Sequence, residues 1–424
     1  MKTFYYVLAF VFGLAACKKE PQPLVIPDLT PRISKIDTAE FNKAQAHVIK
    51  FREQIKQHPE VTKNYSDLAV VYIQEARVTG RHHEYYPVAE RLLDEALKRD
   101  SLFFDALTLR ASMQMTKHQF AEAKTSITKA LSGTQYSSGA YGILADANTE
   151  LGKYDEALAA VDKMMNARPD LRAYARASYQ REIHGDLDGA LKAMRMAVDA
   201  GAFGQENREW TVYQYATLFL HSGKTDTAAF LYNGSLEERP DYGYALSGLA
   251  MVAASKQDYG KAMELLVKAS QVLPEHLFIE QLSDIYLAMG DTTNAHLMEA
   301  KVIETFAQHE KDGWNIDREY AAYCANHSIH LEEALMRTER DQKSRPDNVD
   351  ALDTKAWVLF KMGKAAEAKP LIERALRFNT LNPSFYIHAA LIEQAAGDTM
   401  AAANYRSQLH YLPPVFSHSS IASN

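Results

Sequence analysis

The sequence predicts an all-α solenoid of about ten helix-turn-helix repeats, because one small residue recurs at a nearly constant spacing. The recurring positions are Ala89, Ala123, Ala157, Ala190, Ala228, Ala262, Ala295, Ala334, Ala368 and Ala402. Subtracting successive numbers gives spacings of 34, 34, 33, 38, 34, 33, 39, 34 and 34. A glycine lies five residues before six of these alanines, and a proline lies twelve residues after four of them. Since glycine ends helices and proline cannot continue them, each spacing encodes two helices and a turn.

The repeating unit is clearest at residues 138–170. Leu144 and Asn148 are four residues apart and therefore share one face of a first helix, as do Ala157 and Val161 in the second helix. Neither helix can bury its apolar face alone, so each must pack on its partner and on neighbouring units. The repeat therefore overrides the two or three separate domains that a length of 424 residues would suggest.

The period and the positions of alanine, glycine and proline resemble the tetratricopeptide repeat (TPR), a helix-turn-helix unit. This resemblance implies a right-handed superhelical solenoid whose first helices line a concave groove. An insertion in the first turn, ARVTGRHHEYYP at residues 76–87, is similar to one in exported bacterial TPR proteins of unassigned function. We expect the insertion to lengthen this turn. We also expect long loops at residues 201–209 and 308–315, where loops on one rim of the array could serve recognition.

The first 17 residues predict export and lipidation. Lys2 precedes an apolar run that is too short to span a bilayer, which is typical of a signal peptide. Residues 14–17, LAAC, resemble the lipobox of bacterial lipoproteins, which implies a signal peptide at residues 1–16 and diacylglycerol on Cys17. We expect a lipid anchor in the bacterial cell envelope, at the outer membrane if the cell has two membranes. The alternative is an ordinary leader with a chance cysteine.

The rest of the chain divides into four predicted segments. They are a lipidated, proline-rich tether (17–37), a capping helix at about Thr38–Gln57 (38–61), the solenoid (62–412) and a tail (413–424). The four prolines of the tether favour an extended spacer off the membrane. In the tail, Val415 and Phe416 are expected to close the last helical pair.

Composition and motifs argue against nucleic acid binding and catalysis. The formal charge is −7, whereas nucleic acid binding normally requires a basic face. We find no serine–histidine–acid, paired-carboxylate or nucleotide-binding signature, and we predict neither an enzyme nor a cofactor. Cys324, His327 and His330 are three residues apart, so a soft metal is conceivable. A lone buried cysteine is commonly just a small apolar residue, however, and no metal is predicted.

Function is then expected on the groove wall. By the resemblance, the groove positions are Tyr179, Trp210, Tyr213, Tyr244, Glu280, Asp284, Tyr323, His327, Asp353, Trp357 and Phe360. Large aromatic and acidic side chains suit an extended peptide or a sugar. The leading hypothesis is a scaffold that binds another exported protein or peptide, and the alternatives are glycan capture and a metal-binding protein. Trp357 is predicted to be an exposed anchor whose loss leaves the melting temperature unchanged. The opposing interpretation is that such aromatic residues only fill spaces between helices.

The lipid anchor can be tested through Cys17. The variant Cys17→Ser lacks the sulfur that carries the lipid, so we expect the protein to move from the membrane fraction to the soluble fraction of lysed cells. Immunoblots of both fractions after a salt wash measure this. A variant that stays with the washed membranes would refute the lipobox interpretation.

Overall fold

The computed structural model describes residues 24–32, 38–134 and 136–417, and every regular element within these ranges is a helix. One helix, α1 (Thr38–Gln57), precedes ten helical hairpins that follow each other along the chain. Within each hairpin the two helices pack more closely on each other than on any other element. The prediction of an all-α solenoid with about ten repeats is confirmed.

The ten hairpins are numbered as pairs 1 to 10 in chain order. Their first helices are α2 (Thr62–Thr79), α4 (Phe104–Thr116), α6 (Ser138–Glu150), α8 (Leu171–Ile183), α10 (Glu206–His221), α12 (Gly243–Ser255), α14 (His276–Ala288), α16 (Asp317–His327), α18 (Val349–Lys361) and α20 (Pro383–Ala395). Their second helices are α3 (His82–Arg99), α5 (Phe120–Leu131), α7 (Tyr154–Ala167), α9 (Leu187–Asp199), α11 (Thr225–Glu238), α13 (Tyr259–Val272), α15 (Thr292–Lys311), α17 (Leu331–Ser344), α19 (Ala365–Ala375) and α21 (Thr399–Arg406). Short 3-10 helices follow α19 and α21, at Leu376–Phe378 and Pro414–Phe416.

The recurring alanines explain why the hairpins close. All ten lie on second helices, and none is more than 1% exposed. A methyl side chain lets two helix backbones approach closely, whereas a larger side chain would overpack the contact. The residue that reveals the repeat in the sequence is therefore the residue that packs each pair.

The first helices form the inner layer of the solenoid. Neighbouring first helices approach each other directly at α2–α4, α4–α6, α6–α8, α10–α12, α16–α18 and α18–α20. The second helices instead pack mainly on the first helices before and after them. Because elements on the inside of a curved array lie closest together, we call the inner surface of the ten first helices the inner wall.

The solenoid coils so tightly that one superhelical turn touches the next. Hydrogen bonds across this contact join residues that are 194–199 positions apart in the sequence. The turn within pair 1 meets the connection between pairs 6 and 7, and the turns of pairs 2, 3 and 4 meet the next three connections in order. One superhelical turn therefore takes between five and six pairs. We call this line of contacts the seam.

Backbone hydrogen bonds and a buried ion pair hold the seam together. Where the seam reaches the turn of pair 3, the nearly fully buried Arg345 from the connection between pairs 8 and 9 places its Nη1 2.9 Å from Glu150 Oε2. Beside this ion pair, the Asn348 amide donates to the Thr149 carbonyl at 3.2 Å. Pairs 2 and 4 add main-chain bonds, from Asn315 N to Lys117 O at 2.9 Å and from Leu381 N to Glu182 O at 3.1 Å.

The insertion at residues 76–87 is helical, so the expectation of a lengthened turn is wrong. Both α2 and α3 run for 18 residues, whereas most first helices run for 13, and the added residues extend the hairpin by further helical turns. The extension reaches the seam, where the His82 ring lies 5.3 Å from the ring of Trp314. The two predicted loops are also shorter than expected, since Glu206–Glu209 belong to α10 and Gln308–Lys311 belong to α15.

The amino-terminal segment is attached to the first hairpin. Residues 24–32 are extended, as the prolines predict, but Leu29 is buried and the Arg32 guanidinium pairs with Glu75 at 2.8 Å. This part of the predicted tether therefore packs on the solenoid and is not a free spacer. Helix α1 has the predicted bounds. The signal peptide and Cys17 lie outside the described residues, and none of the helices described here is long and apolar enough to cross a bilayer.

Two glycines in equivalent hairpin turns allow the contribution of the seam to stability to be tested. Gly152 has a φ of +73°, and a Cβ there would lie 2.5 Å from the Asn348 backbone nitrogen across the seam. Gly363 has a φ of +78° but faces open space. Alanine at either position should lose about 1–2 kcal/mol of stability because of the left-handed backbone. Gly152→Ala should lose roughly 1–3 kcal/mol more through the clash.

Urea unfolding of both variants measures this difference, and small-angle X-ray scattering measures the maximum dimension of each. We expect Gly152→Ala alone to lengthen the particle, since it forces the seam apart. Equal unfolding free energies and equal dimensions for the two variants would show that the seam does not stabilise the fold.

Candidate functional site

The predicted groove residues all lie on first helices, but the fold divides them by burial. Tyr179 is 39% exposed and is the most open of them. The half-buried members are Trp210, Tyr213, Tyr244, Glu280, Asp284 and Phe360. The buried members are Tyr323, Asp353, Trp357 and the side chain of His327. The expectation of exposure is therefore wrong for these four residues, whereas a role of the wall in binding stays a prediction.

A row of aromatic rings runs along the inner wall from α10 to α14. The Tyr213 ring lies 5.5 Å from the Tyr244 ring, which in turn lies 5.6 Å from the buried ring of Phe278. The three rings come from three successive first helices but from different repeat positions, since the spacings of 34 and 33 residues carry Tyr213 to Ser247 and Tyr244 to Leu277. The rings of Tyr213 and Tyr244 are half-buried and that of Phe278 is buried, so the row is an apolar strip that is open at its first two rings.

Carboxylates on α14 continue the inner wall next to this strip. Burial, together with the neighbouring Asp284, raises the pKa of Glu280 from 4.5 to about 8. Burial also raises the pKa of Asp284, although the His327 imidazole at 3.1 Å opposes the shift. His276 lies 3.8 Å from Glu280 but stays neutral at pH 7, since burial and the nearby His309 lower its pKa to about 4. Carboxyls in this poorly hydrated position favour a partner that brings hydrogen-bond donors or positive charge.

Trp357 is a packing residue and not an exposed anchor. Its side chain is 3% exposed and lies in a stack between His388 at 4.1 Å and Phe360 at 5.0 Å. Its indole N–H donates to the Asn326 side chain at 2.9 Å. The sequence places Trp357 on the correct helix face, but that face is covered by neighbouring first helices and by the ring of Phe416. Truncation of Trp357 therefore cannot separate binding from folding.

The other buried members also connect first helices to each other. The Tyr323 hydroxyl donates to Ser283 Oγ at 3.1 Å, and Asp353 lies 2.8 Å from the His388 ring. His327 lies between Asp284 and Glu299, 3.3 Å from the latter. For these residues the interpretation as space-filling groups between helices is correct. Periodicity identifies a helix face but does not measure how closely the next helix covers it.

The chain's own tail segment, residues 409–417, lies on the inner wall. After α21 and a short turn the chain has no regular secondary structure until the 3-10 helix Pro414–Phe416, which packs on α14 and α12. Tyr411 and Phe416 are buried, and Leu409, Leu412 and Val415 are partly buried against the core of the last pairs. The sequence predicts only that the tail closes the last pair. In the structure the tail also packs on the inner wall. Its aromatic residues among prolines were the signal that sequence reasoning missed.

The tail segment crosses the interior of the solenoid. Tyr411 stacks on His221 of pair 5 at 5.6 Å, whereas Phe416 meets Trp357 and His388 of pairs 9 and 10 at 5.9 and 5.7 Å. The 3-10 helix at the same time contacts pairs 6 and 7. Pairs 6 and 7 come three pairs before pairs 9 and 10, which is about half of a superhelical turn. The tail segment thus bridges opposite sides of the inner wall at its carboxyl-terminal end. Tyr411 instead continues the seam, since a Cβ on Gly223 in the turn of pair 5 would lie 3.0 Å from the His410 carbonyl oxygen.

The three metal candidates point to different neighbours. Cys324 is fully buried, and burial raises the pKa of its thiol to about 12, so it is a protonated packing residue. His327 turns toward Asp284, and His330 precedes α17 in a left-handed backbone conformation. In the described ranges no group of three or more histidine, cysteine, aspartate or glutamate side chains is arranged to hold a metal ion.

The architecture is defined by ten hairpins, each with one small buried residue, by a period near 34 residues and by first helices on the inside of the array. The fold is a TPR solenoid. No protein-family profile matches the chain. Over 161 residues it is 27% identical to the cellulose synthase operon protein C of Pseudomonas fluorescens SBW25, covering 36% of this chain and only 12% of that protein.

Two solved structures show similar helical arrays. The TPR protein TTC0263 of Thermus thermophilus is 20% identical, and the match covers 46% of this chain and 98% of that one at a TM-score of 0.39. Human IFIT1, as a dimer with m7Gppp-AAAA, is 13% identical, with 87% and 86% of the two chains covered at a TM-score of 0.47. Because both TM-scores are below 0.5, the assignment of the TPR fold rests on the repeats of this chain.

The carboxyl of Glu280 predicts a pH dependence of stability. Its folded pKa of about 8 lies above the ordinary 4.5, so its contribution to stability is full below pH 4.5 and is lost as the pH rises through 8. Glu280→Gln should match the wild type at pH 4. It should then gain relative stability by up to about 1.4 kcal/mol per pH unit as the pH rises toward 8.

Urea unfolding at pH 4, 6, 8 and 9 measures this difference. Glu264→Gln is the matched control, because Glu264 lies on the exposed face of α13. A wild-type-minus-Glu280→Gln difference that is the same at every pH would contradict the assignment of a buried, poorly hydrated carboxyl.

Proposed function

We propose that this protein is a membrane-anchored, non-catalytic TPR scaffold that binds another exported protein or peptide along its inner wall. The observation that carries the proposal is the row of aromatic side chains from α10 to α14, of which Tyr213 and Tyr244 are half-buried, together with the half-buried carboxyls of α14. Three successive pairs contribute rings to this row. A row of this kind suits a partner that is itself extended.

The chemistry of the row favours a polypeptide partner. Tyrosine and tryptophan rings provide contact area at low entropic cost and are enriched among residues that dominate binding energy. Glu280 and Asp284 on α14 offer carboxyl groups that accept hydrogen bonds or a positive charge. Backbone N–H groups and lysine or arginine side chains of an extended peptide provide such donors.

The location in the proposal rests on the sequence. Residues 14–17 resemble a lipobox, and a chain with two or more acyl groups binds a membrane stably. Residues 24–32 pack on the first hairpin, so the span between Cys17 and the folded solenoid is short. In this arrangement the solenoid stays near the membrane surface, where exported partners pass or assemble.

Tyr179 provides the sharpest test of the wall. It is the most exposed of the predicted groove residues, so Tyr179→Ala should leave the melting temperature nearly unchanged. If Tyr179 anchors the partner, the variant should lose about 2 kcal/mol of binding, close to a 30-fold weaker affinity. Crosslinking in intact cells, followed by affinity capture and mass spectrometry, identifies the partner and compares its recovery.

Phe230→Ala is the matched control, because Phe230 is 76% exposed on the second helix α11, away from the inner wall. We expect this control to retain the partner at the wild-type level. If both variants recover the same proteins in the same amounts as the wild type, the inner wall is not the binding surface.

A further inference from the structure

The tail segment, residues 409–417, shows what kind of polypeptide fits the carboxyl-terminal half of the inner wall. Its sequence is LHYLPPVFS, with two aromatic residues five positions apart and two prolines between them. Both aromatic side chains are buried, and the segment between them has no helix before the 3-10 helix, with Pro413 in an extended conformation. The wall therefore already holds an extended, proline-containing peptide in the chain's own structure.

The wall has a distinct place for each aromatic ring. Tyr411 lies on His221 and packs among apolar residues of pairs 5 and 6, including Leu220 and Val252. Phe416 meets the rings of Trp357 and His388 edge-on. Rings in edge-to-face or stacked contact at these distances have a preferred geometry, which stabilises the contact beyond the burial of apolar area.

The helices at this place leave room for an added segment. The 3-10 helix Pro414–Phe416 lies on α12 and α14, and neighbouring first helices approach each other less closely at α12–α14 and α14–α16, as they do at α8–α10. The 20-residue helix α15 and the longer spacing from Ala295 to Ala334 lie between α14 and α16, and they separate pairs 7 and 8. The tail packs on α14 at this more open part of the inner layer.

We propose that the tail segment is an internal occupant of the partner site, and that the partner presents an extended, proline-containing segment with two aromatic residues at the same spacing. This inference rests on the proposed function. The partner segment replaces Tyr411 and Phe416 in their two places, and the tail leaves the wall. Binding is then controlled by competition with a segment that is tethered to the site and therefore present at a high effective concentration.

The first experiment measures binding of the fluorescein-labelled peptide LHYLPPVFS to the full-length chain by fluorescence anisotropy. The double variant Tyr411→Ala/Phe416→Ala should bind the peptide at least tenfold more tightly than the wild type, because its own tail no longer competes. Met400→Ala is the matched control, since Met400 is an exposed apolar residue on the nearby helix α21, and it should behave as the wild type. A peptide in which both aromatic residues are alanine should bind to none of the three proteins.

The second experiment uses the unaltered chain, because loss of two buried rings could also loosen the last pairs. Chymotrypsin cleaves after aromatic residues, and a displaced tail exposes Tyr411 and Phe416. Excess free peptide LHYLPPVFS should accelerate cleavage of the tail at least tenfold, and the alanine-substituted peptide should not. Equal binding by all proteins together with unchanged cleavage would overturn the proposal. A wild-type dimer in light scattering that the double variant lacks would also overturn it, since the tail would then occupy a second copy.

These outcomes separate the inference from the proposed function. If the double variant still captures the same exported partner as the wild type but binds no tail peptide, the tail inference fails while the scaffold function stands. If the tail peptide binds as expected but no exported partner is recovered from cells by any variant, the scaffold function fails while the peptide chemistry of the site stands.

Discussion

The seam between successive superhelical turns is the contact on which the rest of the structure depends. A TPR array without a seam is held only by neighbouring repeats, and its stability is close to a sum of local terms. Here the Arg345–Glu150 ion pair and main-chain hydrogen bonds join segments nearly 200 residues apart. The first five pairs are thereby fixed against the last five. Each superhelical turn is therefore held by the next turn as well as by contacts between neighbouring repeats.

The seam also determines the character of the inner wall. Because turns of the coil touch, the wall is surrounded by protein and its carboxyls are poorly hydrated, as the raised pKa values of Glu280 and Asp284 indicate. The same closure brings pairs 6 and 7 opposite pairs 9 and 10, so a short tail can touch both sides. An open solenoid with the same sequence of helices would present these residues to bulk water, where single contacts contribute less.

The sequence predicts the parts of this structure that are set by local patterns. The recurring alanines, the hairpin order and the bounds of α1 follow from helical periodicity and helix-ending residues, which act within one repeat. The groove residues were placed on the correct helices for the same reason. Burial of Trp357 and His327 was missed because it depends on how closely the next helix approaches, which no local pattern encodes. The seam and the tail contact were not predicted, because both join residues far apart in the chain. The insertion at residues 76–87 was predicted as a longer turn, but its residues extend two helices, and the tip of this hairpin packs on Trp314.

The seam has a consequence for how the chain acquires its structure over time. Ribosomes add about 5–20 residues per second, so the second half of a seam contact emerges roughly 10–40 s after the first. Hairpins fold far faster than that, since helices form in microseconds or less. The seam surfaces at the turns of pairs 3 and 4 therefore stay uncovered until Asn348 and Leu381 arrive. A chain that forms such a coil gains from being kept unfolded until its full length is available, because a half-made coil exposes its uncovered seam to other chains.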